Sequence, residues 1–496
     1  MSGILSALRE HANKRPDHIA LRGKDRALSY GELDRAVDTL ATQLKEGGAR
    51  VVGLFGDNLL AWAVADLACL RAGLATVPIP VFFSEGQRRH ALVSAGVDTL
   101  LTPHREALAA FPAALPIDQL QVADQPLWRV ALNGGAESDE MRGLAKVTYT
   151  SGTTGEPKGV KFTRAALEAV VESAAKGVSA QASDRFMALL PMSVLMENLL
   201  GFYVAMAAGA EYIVLPMAEL GFRGSNRMHV TAMLDAVRRY RVSNMICTPQ
   251  VVQNMVVALE RGAAALPDLQ YIGAGGAPIA ESMLFRAARV GLPIYQGWGL
   301  SECASAVTIN TLGANRLGSV GRPLGHVAVR CADDGELFVS GRSLFAGYVG
   351  EPLRPEGEWY PTGDLGEVDR DGYVRITGRK KTLIINSFGR NVSPEWVESQ
   401  LTSRSELSQV AVFGDGRPHL IGVVVPAPNG NRQSLAQAIE AINLELPDYA
   451  RLRHWVVAEL PFAVENGQLT VLGKLKREAI HEAYKSQLEA LGEGET

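Results

Sequence analysis

The segment from Thr148 to Thr163, TYTSGTTGEPKGVKFT, combines three glycines with serine, threonine and lysine in the manner of a phosphate-binding loop. It differs from a Walker loop, in which lysine follows glycine and precedes serine or threonine, because Lys158 stands between Pro157 and Gly159. Backbone N–H groups and hydroxyls in such a loop form a nest for anions, and the helix predicted to follow it adds to that nest. A polar surface turn is the alternative interpretation.

Two further glycine-rich stretches follow predicted strands, YIGAGGAP at 271–278 and YQGWGLSECAS at 295–305. The first lacks the third glycine and the later acidic residue of a dinucleotide-binding fingerprint, but its glycines allow close approach to a flat ligand. The second places Ser301 beside Glu302, and a lone carboxylate with phosphate oxygens suits Mg²⁺. A tight turn and a helix-start acid are the respective alternatives.

Three more stretches lie in the last third of the chain. YPTGDLG at 360–366 sets Asp364 in a turn, where its carboxylate can accept two hydrogen bonds from a ribose diol or serve as an ordinary turn residue. GRKKTLIINSFGRNVSPEWVE spans 378–398, and LTVLGKLKREAI at 469–480 contains Lys474. A solvated basic face is the alternative for such lysines.

The elements that must position these stretches alternate between helix and strand. SYGELDRAVDTLATQLKEGG is a helical pattern, VVGLFG a strand, LLAWAVADLACLRAG a helix that ends at Gly73, and ATVPIPV a strand. This alternation predicts parallel sheets covered by helices, with ligands at the strand ends. From about Gly318 short strands with Asp-Gly turns predict a small antiparallel barrel or sheet, and after Gly378 a mixed pattern returns.

Composition limits the classes of protein. A chain of 496 residues with 47% hydrophobic residues is long enough for at least two folded domains. The net charge of −4 does not favour a nucleic acid partner. The four cysteines (Cys69, Cys247, Cys303 and Cys331) lie far apart, as reduced thiols of a cytoplasmic protein do. The apolar stretches fall short of the roughly 20 residues that cross a bilayer, which leaves only peripheral membrane contact open.

Together, in this order, the six stretches resemble the adenylate-forming superfamily of acyl-CoA synthetases, nonribosomal adenylation domains and luciferases. The matching motifs are TYTSGTTGEPKGV, YQGWGLSE, YPTGD, ITGRKK and GKLKR, and LLPMSVLMENLLG is most like the bacterial long-chain acyl-CoA synthetases. The resemblance implies an α/β fold. It implies a large N-terminal domain of layered sheets with a small β-barrel-like part (1–378) and a small mobile α+β C-terminal lid (379–496), with a hinge near Lys381.

The resemblance also implies two half-reactions. A carboxylic acid, with a fatty or other hydrophobic acid favoured, attacks the α-phosphate of ATP–Mg²⁺ and gives acyl-AMP and pyrophosphate. The thiol of CoA then attacks the acyl carbon and releases AMP. The alternatives are transfer to the phosphopantetheine arm of an acyl carrier protein, simple NTP hydrolysis, and a catalytically silent nucleotide-binding regulatory paralogue. The chain length of the acid, the acceptor and the oligomeric state stay open.

By motif position, the resemblance implies that Lys474, Thr153 and Glu302 are catalytic and that Glu302 also holds Mg²⁺. The implied ATP-binding residues are Ser151, Gly152, Thr154, Gly155, Lys158, Gly275, Gly276, Ala277, Gln296, Gly297, Trp298, Gly299, Ser301, Asp364 and Arg379. The loop at 151–158 would hold the β- and γ-phosphates. The adenine would bind at Gly276, Ala277 and Trp298. The ribose and a nearby phosphate would bind at Asp364 and Arg379.

Outside the nucleotide site, the resemblance implies a thiol-side loop at Phe388 and Gly389, and an acyl pocket at Val194 and Met196. The chain departs from the family at Thr382, where Asp or Asn is frequent, and at Phe388, where glycine is common. Val194 replaces the histidine or aromatic residue that relatives often carry near the acyl site. An apolar residue there suits a hydrophobic acid, and plain core packing is the alternative.

Lys474→Ala is expected to abolish acyl-adenylate formation and to spare thiolation of preformed acyl-AMP. The lysine is expected to reach from the lid to the carboxylate and the α-phosphate, where it stabilises negative charge only in the first step. Acid-dependent pyrophosphate exchange measures the first half-reaction, and transfer from synthetic acyl-AMP to CoA measures the second. Equal loss of both half-reactions would contradict this assignment.

Overall fold

The computed structural model describes residues 3–105, 114–132, 139–150, 157–223, 227–355, 357–428, 430–470 and 473–491. The described helices of the N-terminal part are α1 (Ile4–Lys14), α2 (Tyr30–Glu46), α3 (Leu60–Ala72), α4 (Glu85–Ser94), α5 (Arg164–Gly177), α6 (Val204–Ala208), α7 (Val230–Arg239), α8 (Pro249–Glu260) and α9 (Glu281–Arg289). A π-helix at Glu197–Tyr203 runs directly into α6. None of the helices in these ranges combines the length and apolar character needed to span a bilayer.

The described strands up to residue 323 form large mixed sheets and one short hairpin. They are β1 (Ile19–Arg22), β2 (Ala27–Ser29), β3 (Val51–Phe55), β4 (Ala75–Ile79), β5 (Thr99–Thr102), β6 (Ala114–Val122), β7 (Gln125–Leu132), β8 (Leu144–Thr150), β9 (Lys158–Thr163), β10 (Arg185–Met187), β11 (Glu211–Ile213), β12 (Phe222–Arg223), β13 (Arg227–Met228), β14 (Asn244–Cys247), β15 (Tyr271–Ala274), β16 (Ile294–Trp298), β17 (Thr308–Ile309) and β18 (Arg322–Pro323).

One large sheet has the strand order β18-β17-β16-β15-β14-β10-β11-β1-β2. Its centre is parallel: Met245 pairs with Ile272, and Ile272 pairs with Ile294 on the next strand. The antiparallel partners β17 and β2 flank this parallel centre. Since parallel strands end at the same edge, the segments that follow β15 and β16 lie side by side, and both were predicted to contact the nucleotide.

In the second large sheet, strand β21 (Gly347–Tyr348) heads the order β21-β9-β8-β4-β3-β5-β7-β6. Its strands β8, β4, β3 and β5 run parallel, which confirms the predicted parallel layers. The helix predicted after the phosphate-loop segment is confirmed, but residues 158–163 of that segment form a strand and not the predicted loop. Strand β9 comes first, pairing Lys158 with Thr150, and α5 begins only at Arg164. An extended strand forms here because β9 gains partners on both edges, β8 and β21.

Local sequence signals explain the helices that the alternation predicted. Helix α2 begins with a capping box, in which the Ser29 hydroxyl accepts from the Glu32 N–H and the Glu32 carboxylate accepts from the Ser29 N–H. Helix α3 ends at Gly73, whose φ of 72° lies in the left-handed region that favours glycine. The residues of α3 are buried on all faces of the helix, as expected for a helix packed between layers.

A buried charge network ties three of these elements together. The Lys146 ammonium on β8 donates to the Asp66 carboxylate on α3 over 2.7 Å and to the Asn198 side-chain oxygen on the π-helix over 2.6 Å. The Tyr203 hydroxyl donates to the second Asp66 oxygen over 2.7 Å. Lys146 and Asp66 are 1% and 0% exposed, so each charge depends on the other for compensation. This network fixes the strand that precedes the phosphate loop against the π-helix.

The remaining described strands and helices form a small sheet and a separate C-terminal unit. They are β19 (Val327–Cys331), β20 (Glu336–Gly341), β22 (Tyr360–Val368), β23 (Val374–Arg379), β24 (Ile384–Ile385), β25 (Asn391–Val392), α10 (Pro394–Thr402), β26 (Leu407–Phe413), β27 (Leu420–Pro426), α11 (Arg432–Glu445), β28 (Leu452–Val457), α12 (Arg477–Ala483) and α13 (Lys485–Ala490). The predicted antiparallel sheet is confirmed in the order β19-β20-β22-β23. The lid, defined as the unit from Ile384 onward, packs its own apolar core around the sheet β26-β27-β28.

Lys146→Ala is expected to lower the free energy of unfolding by about 3–5 kcal/mol, because it leaves the buried Asp66 carboxylate without its cation. Urea unfolding followed by circular dichroism measures the change. The control Lys176→Ala removes an exposed lysine that pairs with Glu172 on α5, and its effect is expected to stay below about 1 kcal/mol. Similar losses in both variants would contradict a structural role for the buried network.

Candidate active site

The carboxylate of Asp364, on β22 of the small antiparallel sheet, lies where that sheet meets the nine-stranded sheet that contains β16. One oxygen accepts from the Trp298 indole N–H at the end of β16 over 2.8 Å, and the other accepts from Arg379 Nε at the end of β23 over 2.6 Å. The prediction that Asp364 lies in a turn is wrong, because it belongs to strand β22 and pairs with Arg379 on β23; its N–H donates to the Thr362 hydroxyl over 3.0 Å. Asp364 is 7% exposed, and its donors supply the hydrogen bonds that a buried carboxylate needs.

A second carboxylate, Glu302, is held by Tyr348, a residue that the sequence did not single out. The Tyr348 hydroxyl donates to Glu302 Oε1 over 2.7 Å and lies 3.4 Å from the Tyr360 hydroxyl. Burial raises the pKa of Tyr348, with Tyr360 and Glu302 adding to the effect, so the phenol keeps its proton and donates. Lys158 Nζ lies 5.2 Å from the centre of the Tyr348 ring, which brings the predicted phosphate-binding lysine to this cluster.

Glu302 suits a magnesium ion that arrives with a nucleotide. Within the described ranges, no group of three His, Cys, Asp or Glu side chains is placed to hold a resident metal. Mg²⁺ is commonly held by one or two carboxylates together with phosphate oxygens and water. Since Glu302 Oε1 is already oriented by Tyr348, its carboxylate is positioned to supply that one ligand.

Glycine backbones line the side of the site where adenine was predicted to bind. Gly276 has a φ of 91° and is exposed together with Ala277. A side chain on Gly275 would lie 3.3 Å from the Gly297 carbonyl oxygen and 3.8 Å from Met196 Sδ. The segments after β15 and β16 therefore approach each other closely, and the predicted acyl-pocket residue Met196 borders them.

The loop that precedes the π-helix carries the predicted acyl residues Val194 and Met196, both half-buried. The adjoining Glu197 side chain accepts from the Leu190 N–H over 3.1 Å and from the Tyr212 hydroxyl over 2.8 Å. Burial raises the pKa of Glu197 to about 8, so this carboxyl is protonated at neutral pH. A neutral, hydrogen-bonded acid thus anchors the acyl loop without adding charge to it.

Lys474 reaches this region from the lid. Its N–H donates to the Thr470 hydroxyl over 3.0 Å in a tight turn, and its side chain keeps contact with solvent. Loss of hydration beside the protein lowers the pKa of Lys474, Arg379 lowers it further, and Asp364 and Glu302 oppose both. The pKa of the lid lysine therefore responds to the carboxylates and the guanidinium of the N-terminal site.

The chain segment at the predicted hinge is anchored at both ends, each end to a different part of the protein. Lys380 donates to the Asp334 carboxylate over 2.6 Å and to the Glu336 carboxylate over 2.8 Å, both in the small antiparallel sheet. Ile384, four residues later, belongs to the core of the lid. Lys381 therefore lies in the short connection between a residue tied to the N-terminal part and a residue packed in the lid.

The thiol-side loop lies away from these groups. Phe388 is 73% exposed, and Gly389 has a φ of 73°. The Asn386 side-chain oxygen accepts from the Phe388 N–H over 3.0 Å and from the Arg390 N–H over 2.9 Å, which shapes the loop. In this orientation of the lid, the structure does not bring Phe388 to the site.

Some of the remaining predicted site residues lie in the described part of the chain, and others lie outside it. The Gln296 side chain is buried, and the Gln296 backbone carbonyl oxygen accepts from Asn310 Nδ2 over 3.1 Å. Gly299 lies against the Ser305 carbonyl, with no room for a side chain, and Ser301 begins a short 3₁₀ turn. The phosphate-loop residues that lie outside the described part of the chain are Ser151, Gly152, Thr153, Thr154 and Gly155.

Sequence reasoning missed Tyr348, Tyr360 and Glu197. Tyr360 opens the quoted YPTGD motif, and Glu197 lies within LLPMSVLMENLLG, so the motifs held a signal for both. Tyr348 meets Glu302 from 46 positions along the chain, a pairing that local pattern does not reveal.

Two family models together match most of the chain. Residues 8–349 match the family model described as AMP-binding enzyme, and residues 381–495 match the model described as AMP-binding enzyme C-terminal domain. A feruloyl-CoA synthase of an Amycolatopsis species is 31% identical, with 85% of this chain and 88% of that protein covered. A long-chain fatty-acid–CoA ligase of Mycobacterium bovis is 27% identical, with 90% and 88% covered.

Solved structures show the same fold. An anthranilate CoA ligase in complex with anthranoyl-AMP superposes with a TM-score of 0.80 at 20% identity, covering 97% of both chains. An O-succinylbenzoate coenzyme A synthetase of Bacillus subtilis with ATP and a magnesium ion superposes with a TM-score of 0.74 at 23% identity, covering 95% of this chain and 98% of that one.

Tyr348→Phe is expected to raise by about tenfold the Mg²⁺ concentration that gives half-maximal acid-dependent pyrophosphate exchange, because Glu302 loses the hydrogen bond that orients it. A magnesium titration at saturating ATP measures the effect. The control Tyr360→Phe removes a hydroxyl that contacts Tyr348 rather than Glu302, and a smaller change is expected. An unchanged magnesium dependence in Tyr348→Phe would contradict this role.

Proposed function

The chain belongs to the AMP-binding enzyme family, and from that premise we propose that it joins a hydrophobic carboxylic acid to the thiol of CoA. Enzymes of this family are ATP-dependent acid–thiol ligases that form an acyl-adenylate first. The observation that carries the proposal is the hydrogen-bonded group in which Trp298 and Arg379 both donate to the Asp364 carboxylate. Arg379 and the lid residue Lys474 would offer positive charge to a carboxylate and an ATP α-phosphate bound there.

In the first half-reaction, an oxygen of the substrate carboxylate attacks the α-phosphorus, and the bond to pyrophosphate breaks. Since the substrate is itself the nucleophile, the protein's contribution is orientation and charge stabilisation. Lys474 and Arg379 stabilise the negative charge shared by the carboxylate and the α-phosphate. Glu302 would hold the magnesium ion that accompanies ATP, which neutralises charge on the departing pyrophosphate.

Asp364 would bind the ribose. Its oxygens already accept hydrogen bonds from Trp298 and Arg379, and a carboxylate can accept about four in all. Two lone pairs therefore remain for the hydroxyls of a ribose diol. Lys158, whose ammonium lies 5.2 Å from the centre of the Tyr348 ring, would hold the β- and γ-phosphates together with residues 151–156.

In the second half-reaction, the thiol attacks the acyl carbon, the bond between that carbon and the AMP oxygen breaks, and AMP leaves. We assign the connection at Lys381 as the hinge that turns the lid between the two steps. Support comes from Lys380, which the ion pairs with Asp334 and Glu336 tie to the N-terminal part. Rotation beyond this point would remove Lys474 and bring the exposed Phe388 and Gly389 loop toward the acyl-adenylate.

The proposed acid is hydrophobic because the acyl loop is apolar and its anchoring acid is neutral. Val194 and Met196 present apolar side chains, and Glu197 carries no charge at neutral pH. The two relatives described above are a long-chain fatty-acid–CoA ligase and a feruloyl-CoA synthase. The acyl group is aliphatic in the first and aromatic in the second. CoA is the proposed acceptor because the names of both relatives include CoA, and an acyl carrier protein is the alternative.

A pyrophosphate-exchange screen over fatty, aryl and amino acids tests the proposal. Exchange is expected to depend on a fatty or aryl acid, with amino acids inactive, and the best acid is expected to yield a thioester with CoA. Parallel assays with the phosphopantetheine form of a carrier protein separate the two acceptors. Phosphate release without any acid, or no exchange with any acid, would contradict the proposal.

A further inference from the structure

Two side chains of the N-terminal domain contact the last turn of helix α10 in the lid. Arg286 on α9 donates through one Nη to the Ser403 carbonyl oxygen, and Gln253 Nε2 on α8 donates to the Thr402 carbonyl oxygen over 2.8 Å. Carbonyls at a helix C-terminus lack partners within the helix and favour cationic donors. These contacts therefore join the lid to the large domain at a point outside the nucleotide site.

The Arg286 guanidinium is oriented by its own domain before it meets the lid. Its Nε donates to Glu260 Oε1 over 2.9 Å, and its second Nη donates to Glu260 Oε2 over 2.6 Å. This bidentate pair fixes the plane of the guanidinium and leaves the first Nη directed at Ser403. Because the pair with Glu260 lies within the N-terminal domain, the Arg286 side chain loses little freedom when the lid binds.

Helix α10 also holds the turn that carries Lys474. Arg477, three residues after the lysine, pairs with Glu395 over 3.2 Å and forms a bidentate pair with Glu398, both on α10. Glu398 is 8% exposed, and Arg477 compensates its buried charge. A continuous set of contacts thus leads from α8 and α9 through α10 to the lysine.

We propose that Arg286 and Gln253 form a latch that holds the lid in the orientation in which Lys474 reaches the N-terminal site. Resting on the proposed function, this makes Arg286 and Gln253 positioning residues for acyl-adenylate formation. The latch contacts must break for the lid to rotate about Lys381. Removing them lowers the population of the adenylate-forming orientation and leaves the thiol-transfer orientation intact.

Half-reactions measured separately test the latch. Arg286→Ala is expected to lower the rate of acid-dependent pyrophosphate exchange at least tenfold, and to leave CoA transfer from supplied acyl-AMP within about twofold of the wild type. Arg286→Lys, which keeps a cation, is expected to recover part of the exchange rate. The control Arg289→Ala removes the same charge from the same helix, at an exposed position, and is expected to leave both rates within about twofold.

Two further measurements keep the test decisive. Gln253→Ala removes the second latch contact without disturbing the pair between Arg286 and Glu260, so it applies if Arg286→Ala folds poorly. Trypsin cleavage after Lys380 or Lys381 reports lid release without any substrate, and latch variants are expected to be cut at least threefold faster than Arg289→Ala.

Equal loss of both half-reactions, or no change in exchange and cleavage, would overturn the latch. Failure of the proposed function has a different signature, since the wild type itself would then show no acid-dependent exchange. In that case the trypsin comparison alone decides whether Arg286 and Gln253 hold the lid.

Discussion

The buried carboxylate of Asp364 needs hydrogen-bond donors, because an ionised group removed from water is costly unless it is paired. Its donors come from the ends of different strands, Trp298 on β16 and Arg379 on β23. Arg379 is also the last residue of the small antiparallel sheet before the connection to the lid. One carboxylate therefore joins the parallel sheet, the antiparallel sheet and the start of the hinge, and the proposed ribose site lies at that junction.

Charge across the same junction favours closure of the lid on a nucleotide. Lys474 and Arg379 are both cationic, and Arg379 helps to lower the pKa of Lys474. The carboxylates of Asp364 and Glu302 offset this repulsion in part. The phosphates of a bound nucleotide would supply negative charge that compensates the positive charges of Lys474 and Arg379. When pyrophosphate leaves, part of that negative charge would be lost, which would favour the proposed rotation of the lid after the first step.

Local sequence signals were sufficient for much of the fold. The helical pattern in SYGELDRAVDTLATQLKEGG, the glycine at Gly73 and the alternation of helix and strand predicted elements that the structure confirms. The order of the motifs also predicted which charged residues belong to one site. Pairings between distant positions escaped this reasoning, because periodicity reports only neighbours along the chain. Lys146 meets Asp66 across 80 positions, and strand β9 forms only because β8 and β21 border it.

The central claim is that the carboxylate of the acid attacks the α-phosphorus of ATP. Turnover of an acid labelled with ¹⁸O in both carboxylate oxygens tests this most directly. Attack by the carboxylate and release of AMP by the thiol transfer one labelled oxygen to phosphorus, so mass spectrometry should find one ¹⁸O atom in each AMP. Unlabelled AMP, or label in orthophosphate, would contradict the account.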